Sequence, residues 1–406
     1  MSTRDLYKRL LIEIYVPSVV LAISRVMISF TLPLYMIYEA KSYFDAALVI
    51  TYINLGALII DPFTSYVLTL LGIERSNILS LAVISVSTLL INNFLTSTSS
   101  YLLTISLIAF GAGRSLWNIS RKYLIATEIP REIRGRASSF IGASERIGLF
   151  AGPAIVGFVI SRWSYSYVFT LAFLMSIAIL ATALFSRIPR EEIHDDNNDL
   201  NKISSGSSQV EKESLPVRSV LLDLVILFIV LFIVQGIRSV RNYMLPLIGK
   251  ESTDLSSDLV SYLITLTGLF DVLMSYPAGW LMDKKGRSVA VSLSFGIIAL
   301  SYLLLQGSAN REIYIAGLVI YGAGNGLGAG TMITIGSDIS RVIGSRRIPH
   351  FLMLWQTLGD LSTIIFPVIT GLLTNSLGVR LTCVILSILS LLVVLLINRI
   401  KKDLYL

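Results

Sequence analysis

The sequence predicts an all-α polytopic membrane protein, about twelve transmembrane helices arranged as two pseudo-symmetric six-helix bundles. Three observations carry that expectation. The chain of 406 residues is 54% hydrophobic and only 15% charged, with a mean hydropathy of +0.75, a balance foreign to soluble domains. Apolar runs of about twenty residues, the length of helix that crosses a bilayer, recur along almost the whole chain. The second half then repeats landmarks of the first in the same order, as a duplicated unit does.

Taken in order, residues 1–10 carry Arg4, Lys8 and Arg9 and read as a short interfacial lead-in. Six spans follow, at approximately 11–38, 45–70, 77–96, 101–126, 137–161 and 165–187. The first apolar run is too long for a signal peptide and continues to Tyr38 without a small-residue cleavage site. Residues 188–217 break the pattern: the run from His194 to Asp199 and the stretch Ser204-Ser205-Gly206-Ser207-Ser208 are polar and low in complexity. Such a segment cannot bury a core, so it reads as a flexible cytoplasmic linker between an N-terminal bundle, 1–187, and a C-terminal bundle, 218–406. Six more spans are predicted at approximately 219–246, 258–281, 288–307, 313–337, 349–375 and 379–398. The basic tail Arg399, Lys401 and Lys402 closes the chain.

The net charge of +7 is a matter of placement. Threading the spans from an inside N-terminus puts about 23 of the 33 Lys and Arg on the cytoplasmic side and about 5 outside, as the positive-inside rule expects. Both termini are therefore placed in the cytoplasm and the protein in the cell membrane, and the basic excess needs no nucleic acid partner. One cysteine, Cys383, and two histidines, His194 and His350, leave neither a disulfide framework nor a metal cluster. Both histidines fall at solvated or interfacial places. With no Gly-rich phosphate loop and no nucleophile elbow, the chain reads as a non-enzyme without cofactors, and as a monomer.

The repeat runs at an offset of about 213 residues. Arg25 with Leu32-Pro33-Leu34 is matched by Arg238 with Leu245-Pro246-Leu247, and Gly111-Ala112-Gly113 by Gly322-Ala323-Gly324. Pro153 and Gly157 answer to Pro367 and Gly371. Between the eighth and ninth spans lies Gly279-Trp280-Leu281-Met282-Asp283-Lys284-Lys285-Gly286-Arg287, a polar knot of the form G-x-L-x-D-x-x-G-R. Here Gly279 would let two helices approach, Asp283 would cap a neighbouring helix N-terminus, and Gly286 would allow a tight turn. The loop resembles the signature loop of the major facilitator superfamily of secondary transporters. In the first half its counterpart is Ser65 to Arg75, with Thr69 where Asp283 stands and only Gly72 retained.

Two further stretches add to the resemblance. Glu128-Ile129-Pro130 with Arg134-Gly135-Arg136 looks like that family's loop between helices four and five, and Gly148-x-x-x-Gly152-Pro153-x-x-x-Gly157 is similar to its fifth-helix motif associated with antiporters. Val156 stands where that motif has another glycine. The spacing suits either close helix packing or an antiporter-specific hinge. The resemblance implies two rocking bundles around a small-molecule site near mid-membrane, in a lipid bilayer, with a coupling ion, most simply H+.

Each charge inside a span costs on the order of 3 kcal/mol unless paired or solvated. Arg25 and Arg238 each precede a proline by eight residues, about 12 Å along a helix, and the repeat makes them mates. Their arrangement is similar to that of the organophosphate:phosphate antiporters, where one arginine from helix one and one from helix seven grip an anion; a guanidinium fork suits that task. The other reading has both neutralised by carboxylates such as Asp271 or Asp360. Arg241 and Asn242 share a helix face with Arg238, and Arg114 with its mate Asn325 follows the matched glycines. All are candidates for lining the cavity or for bonding between helices.

Asp61, Glu145, Asp271 and Asp360 are carboxylates that fall within spans. Asp271, Asp360 and Glu145 are the candidate proton-coupling groups. Asp360 aligns by repeat with Arg146, so the fifth and eleventh helices are expected to present opposite charges, as a switchable or a static pair. Asp61 belongs to a cytoplasmic gate, and at the mirrored place Arg287 could reach Asp338; surface pairing is the alternative. The arginine excess favours a small organic anion as substrate, moved by alternating access with proton or antiport coupling. A proton-coupled exporter of drugs or amphipathic metabolites is the second expectation, from the fifth-helix motif and the many Phe and Tyr.

Overall fold

A computed structural model describes residues 15–38, 42–94, 100–128, 131–185, 217–307, 310–343 and 348–400. The lead-in 1–10, the linker up to residue 216, His194, Lys401 and Lys402 lie outside the described residues, as do the side chains of His350 and of Glu128 to Arg136. Among the described residues every regular element is a helix: α1 (Val16–Tyr38), α2 (Tyr43–Phe94), α3 (Ser100–Glu128), α4 (Arg131–Arg162), α5 (Tyr165–Phe185), α6 (Val217–Thr253), α7 (Ser257–Lys285), α8 (Arg287–Gln306), α9 (Arg311–Leu327), α10 (Thr331–Ile343) and α11 (Ile348–Arg399).

Among the described residues ten helical stretches are long and apolar enough to cross a membrane. Two of them, in α2 and α11, leave helical geometry at Gly72 (φ 74°) and Gly378 (φ 83°). Each therefore holds two crossings, which fits the expected twelve. A backbone at positive φ disfavours any residue with a Cβ, and Gly286, between α7 and α8, sits at φ 95° as well. That is why Gly72 outlasts the rest of the first-half loop. The tenth predicted span differs from a single helix. It ends as α9 at Leu327, unwinds through Gly328 to Gly330 (φ 74°) and restarts as α10 at Thr331, where Gly328-Ala329-Gly330 is poor in helix propensity and Gly330 takes a positive φ.

The duplicated landmarks are packing sites. A Cβ on Gly111 would lie 1.8 Å from the Ile53 carbonyl oxygen of α2, and one on Gly322 would lie 2.4 Å from the Thr267 carbonyl oxygen of α7. Two residues on, Gly113 faces Ser80 and Ile84 of α2, as Gly324 faces Ser294 and Ile298 of α8. Each Gly-Ala-Gly thus clamps one helix between two others at backbone contact, which replaces the missing hydrophobic drive in lipid. The second matched pair works between the halves: Gly157 of α4 rests on Asp258 and Ser261 of α7, while Gly371 of α11 rests on Ala47 and Phe44 of α2. The bundles therefore meet along α4 against α7 and α2 against α11, two interfaces exchanged by the repeat. Gly148 and Gly152 pack on Ala22 and Val26 of α1.

The same interfaces show where the molecule is open. At the end away from the Gly279–Arg287 loop, α1 and α2 are joined to α6 and the turn that follows it: Tyr38 donates to the Leu255 carbonyl at 2.7 Å, Lys250 donates to the Ile37 carbonyl, and Tyr43 of α2 donates to Glu251 of α6. Midway, Gly268 of α7 would bring a Cβ to 2.5 Å from the Leu149 carbonyl oxygen of α4. Gly279 lies eleven residues further, on the same face of α7, yet a Cβ there would meet nothing within 4 Å. Gly142, seven residues before Leu149 on α4, is equally clear. A cleft thus parts α4 from α7 toward the loop end. The expected close approach at Gly279 is absent in this conformation.

Candidate functional site

The apolar helices place their charges in three groups. The first surrounds a small hollow inside the first bundle, lined among others by Ser18, Arg25, Phe110, Arg114, Trp117 and Glu145. Arg25 of α1 is ion-paired with Glu145 of α4, and Arg121 of α3 stands 3.9 Å from the same carboxylate. Arg121 is 3% exposed, donates to Ser18 at 2.5 Å and to Asn118 at 2.7 Å, and stacks over the Trp117 ring at 5.2 Å. Arg114 donates to Asn54 at 3.1 Å, and Asn54 in turn donates to the Thr363 carbonyl of α11 at 3.0 Å. Arg114 also feels the charges of Asp360 and Asp61.

The second group straddles the boundary. Asp271 of α7, 2% exposed, accepts from Arg146 of α4 at 2.7 Å and from Asn325 of α9 at 2.8 Å, with Arg241 of α6 at 3.6 Å. Beside it, a hollow of about 300 Å³ lies between Val26, Phe30 and Pro153 on one side and Arg241, Asn242 and Thr267 on the other. A carboxylate so enclosed needs every one of these donors, since burying an unpaired charge costs several kcal/mol. The third group is at the α9 break: Arg238 donates to the Gly328 carbonyl at 2.7 Å and lies over the Phe295 ring at 5.8 Å.

Several expectations need correction. Arg25 and Arg238 do not face each other across a shared anion place: one is held by Glu145, the other by the unwound backbone at Gly328. Neither takes Asp271 or Asp360 as its ion-pair partner. Arg146 is not opposed to Asp360; it reaches Asp271, because α4 packs on α7 rather than on α11. Asp360 accepts from Gln356 on its own helix at 2.9 Å and 3.0 Å. Asp283 is exposed, and α8 begins at Gly286 with no side-chain cap. Arg287 lies 3.0 Å from Asp338 of α10, and Asp61 accepts from Ser115.

Arg121, Trp117, Asn118 and Asn54 were not among the sequence candidates. A signal existed for three of them: Arg114, Trp117, Asn118 and Arg121 follow at i, i+3, i+4 and i+7, one face of a helix. Asn54 carries no charge and stands alone in its span, so nothing marked it.

A family description of the Major Facilitator Superfamily matches residues 16–345 and again 227–403. The chain belongs to that superfamily. It is a superfamily of transporters, and membership sets an enzymatic reading aside. A curated relative, the riboflavin transporter RibZ of Clostridioides difficile (strain 630), is 23% identical over 280 residues, 58% of this chain; the match spans 61% of that relative's length. Among solved superfamily structures, a POT family transporter in complex with a thioalcohol conjugated peptide has a TM-score of 0.74 at 13% identity, covering 96% of both chains. A D-xylose-proton symporter has a TM-score of 0.72 at 15% identity over 98% of both. The human organic anion transporter MFSD10 (TETRAN) has 0.63 at 16% identity, covering 94% of this chain and 98% of its own. At these identities the likeness is one of fold.

Proposed function

We propose that this superfamily member moves a small organic anion across the cell membrane by alternating access, coupled to protons. The observation that carries the reading is the guanidinium surplus at the centre. Arg25, Arg114 and Arg121 surround one hollow with Glu145 as the carboxylate that lines it, and Arg241 and Asn242 line the second, between the bundles. Such a field attracts anions and repels cations. One structural neighbour, human MFSD10 (TETRAN), is an organic anion transporter.

The bundles are residues 1–187 and 218–406, joined by a cytoplasmic linker at 188–217, and both termini are cytoplasmic. On that orientation the conformation described is inward-facing: the outer end is shut by Tyr38, Lys250 and Tyr43, and the cleft at Gly279 and Gly142 opens inward. Arg287 and Asp338 serve the inner gate, together with Gly279, Asp283 and Gly286. Asn325 holds Asp271 in place; Asp271, Glu145 and Asp360 are the carboxylates available for coupling. Arg238 positions the α9 break.

A second reading, a proton-coupled exporter of drugs or amphipathic metabolites, is favoured by the rings of Phe110 and Trp117 in the first hollow. Purified protein in liposomes, given a pH gradient and a mixed panel of organic anions and cations, separates the two. Uptake of anions, with cations inert as competitors, is the expected result; transport of cations alone overturns the anion reading.

A further inference from the structure

We infer that the hollow inside the first bundle is an anion subsite in which the chain's own Glu145 stands in for the ligand, so that a substrate carboxylate or phosphate must displace it from Arg25 and Arg121. The inference rests on the organic-anion reading above and gives it a place and a coupling rule. Two independent features point to a ligand. The first is the carboxylate itself, already held between guanidiniums from two helices. The second is a pair of donors with no acceptor: the Trp117 indole Nε1 and the Arg121 Nε are both buried without a hydrogen-bond partner. Trp117 is 5% and Arg121 3% exposed, and both residues line the hollow. Buried donors are rarely left unmet, and an anionic oxygen is the acceptor that meets an indole N–H and a guanidinium N–H together.

The groups facing Glu145 set the sign of the pH dependence. Arg25 comes from α1 and Arg114 and Arg121 from α3, while its neighbour Arg146 turns to Asp271 of α7. Asp61 and Asp360 act on Arg114, and α5, packed beside α4, brings no acid or base other than tyrosine. Among the described residues Glu145 is thus the one carboxylate lining this hollow, and its proton decides whether Arg25 and Arg121 are free. A protonated Glu145 releases them, so anions bind more tightly as the pH falls. The neutral Glu145 then travels with the bound anion.

The test uses the purified full chain with benzoate and inorganic phosphate as probes, followed by calorimetry at pH 6 and pH 8. For the wild type, binding of at least one probe should weaken at least about threefold at the higher pH. Glu145→Gln should bind at pH 8 as tightly as the wild type does at pH 6, with the pH slope gone. Trp117→Phe keeps the ring and deletes the N–H, and should weaken binding about fivefold or more. Arg121→Gln should weaken it further. Trp117→Phe and Arg121→Gln keep the test decisive even if Glu145→Gln does not fold, and thermal unfolding reports the folding of each variant. Wild-type affinity and slope in Glu145→Gln, or unchanged affinity in both Trp117→Phe and Arg121→Gln, overturns the subsite. Binding that is lost only on Arg241→Gln keeps the anion reading and removes this subsite. Failure of both probes to bind wild type and Glu145→Gln at either pH sinks both. Preference for benzoate over phosphate, or the reverse, names the anionic group.

Discussion

Glu145 and Arg146 are neighbours in α4 that serve opposite bundles: Glu145 turns inward to Arg25 of α1, and Arg146 crosses the boundary to Asp271 of α7 at 2.7 Å. The roughly 100° between consecutive helical residues places an intra-bundle and an inter-bundle ion pair on a single turn. Anything that rearranges one pair acts on the helix that carries the other.

The boundary pair should matter for stability as well as transport. Asp271→Ala leaves Arg146 and Arg241 facing a void, and breaking a buried pair from one side costs roughly 3 to 5 kcal/mol. Thermal unfolding in detergent should drop clearly for the single variant. Arg146→Ala with Asp271→Ala should lose less than the sum of the two singles, because the variants share one interaction. Additive losses would mean that the pair is not coupled.

Gly268 and Gly279 share a face of α7, and their fates should differ. Gly268→Leu puts a side chain into the Leu149 backbone and should prevent assembly of the bundles. Gly279→Leu meets open space here, so the folded protein should survive with little change in unfolding temperature. Transport should nonetheless fall by about tenfold or more, because the added side chain blocks the approach of the bundles that closes the loop end. Full activity in a Gly279→Leu liposome assay would show that the face never closes.

The outer seal offers a direct probe of rocking. With the single cysteine removed as Cys383→Ala, the pair Tyr43→Cys and Glu251→Cys should join through a short bifunctional thiol reagent, since the native side chains are in hydrogen-bond contact. Joined protein should lose uptake, and a reducible reagent should restore it on reduction. Uptake that persists with the bridge intact would rule out separation of α2 and α6 at this end.

Arg238 should behave as a structural anchor. Arg238→Ala removes the charged donor to the Gly328 carbonyl, which keeps its bond from Thr331 Oγ1 at 2.8 Å, a loss of about 1.5 to 3 kcal/mol for a hydrogen bond to a charged group. A lower unfolding temperature with unchanged preference among anions is the expected outcome. A change in anion preference would instead place Arg238 at the substrate.

The repeat was legible because duplication preserves what the backbone cannot give up. Gly111 and Gly322 survive as a pair since a Cβ at either would strike a facing carbonyl, and Gly72 and Gly286 survive since both turns need positive φ. The break at Gly328 and the partners of the arginines were not legible in the same way. The matched positions of Arg25 and Arg238 suggested matched roles, yet the repeat offers Glu145 to the first and Gly359, its counterpart in register, to the second. Without that second carboxylate, Arg238 turned to the backbone of α9.

By itself the sequence determined how often the chain crosses the bilayer and which side chains must escape lipid, because both follow from transfer cost along the chain. Tertiary structure alone decided which charge answers which, and which end stands open. Those outcomes depend on how each helix is rotated against its neighbours, and that rotation is set by backbone contacts such as Gly111 on Ile53 and Gly268 on Leu149, which join helices that are distant in the sequence.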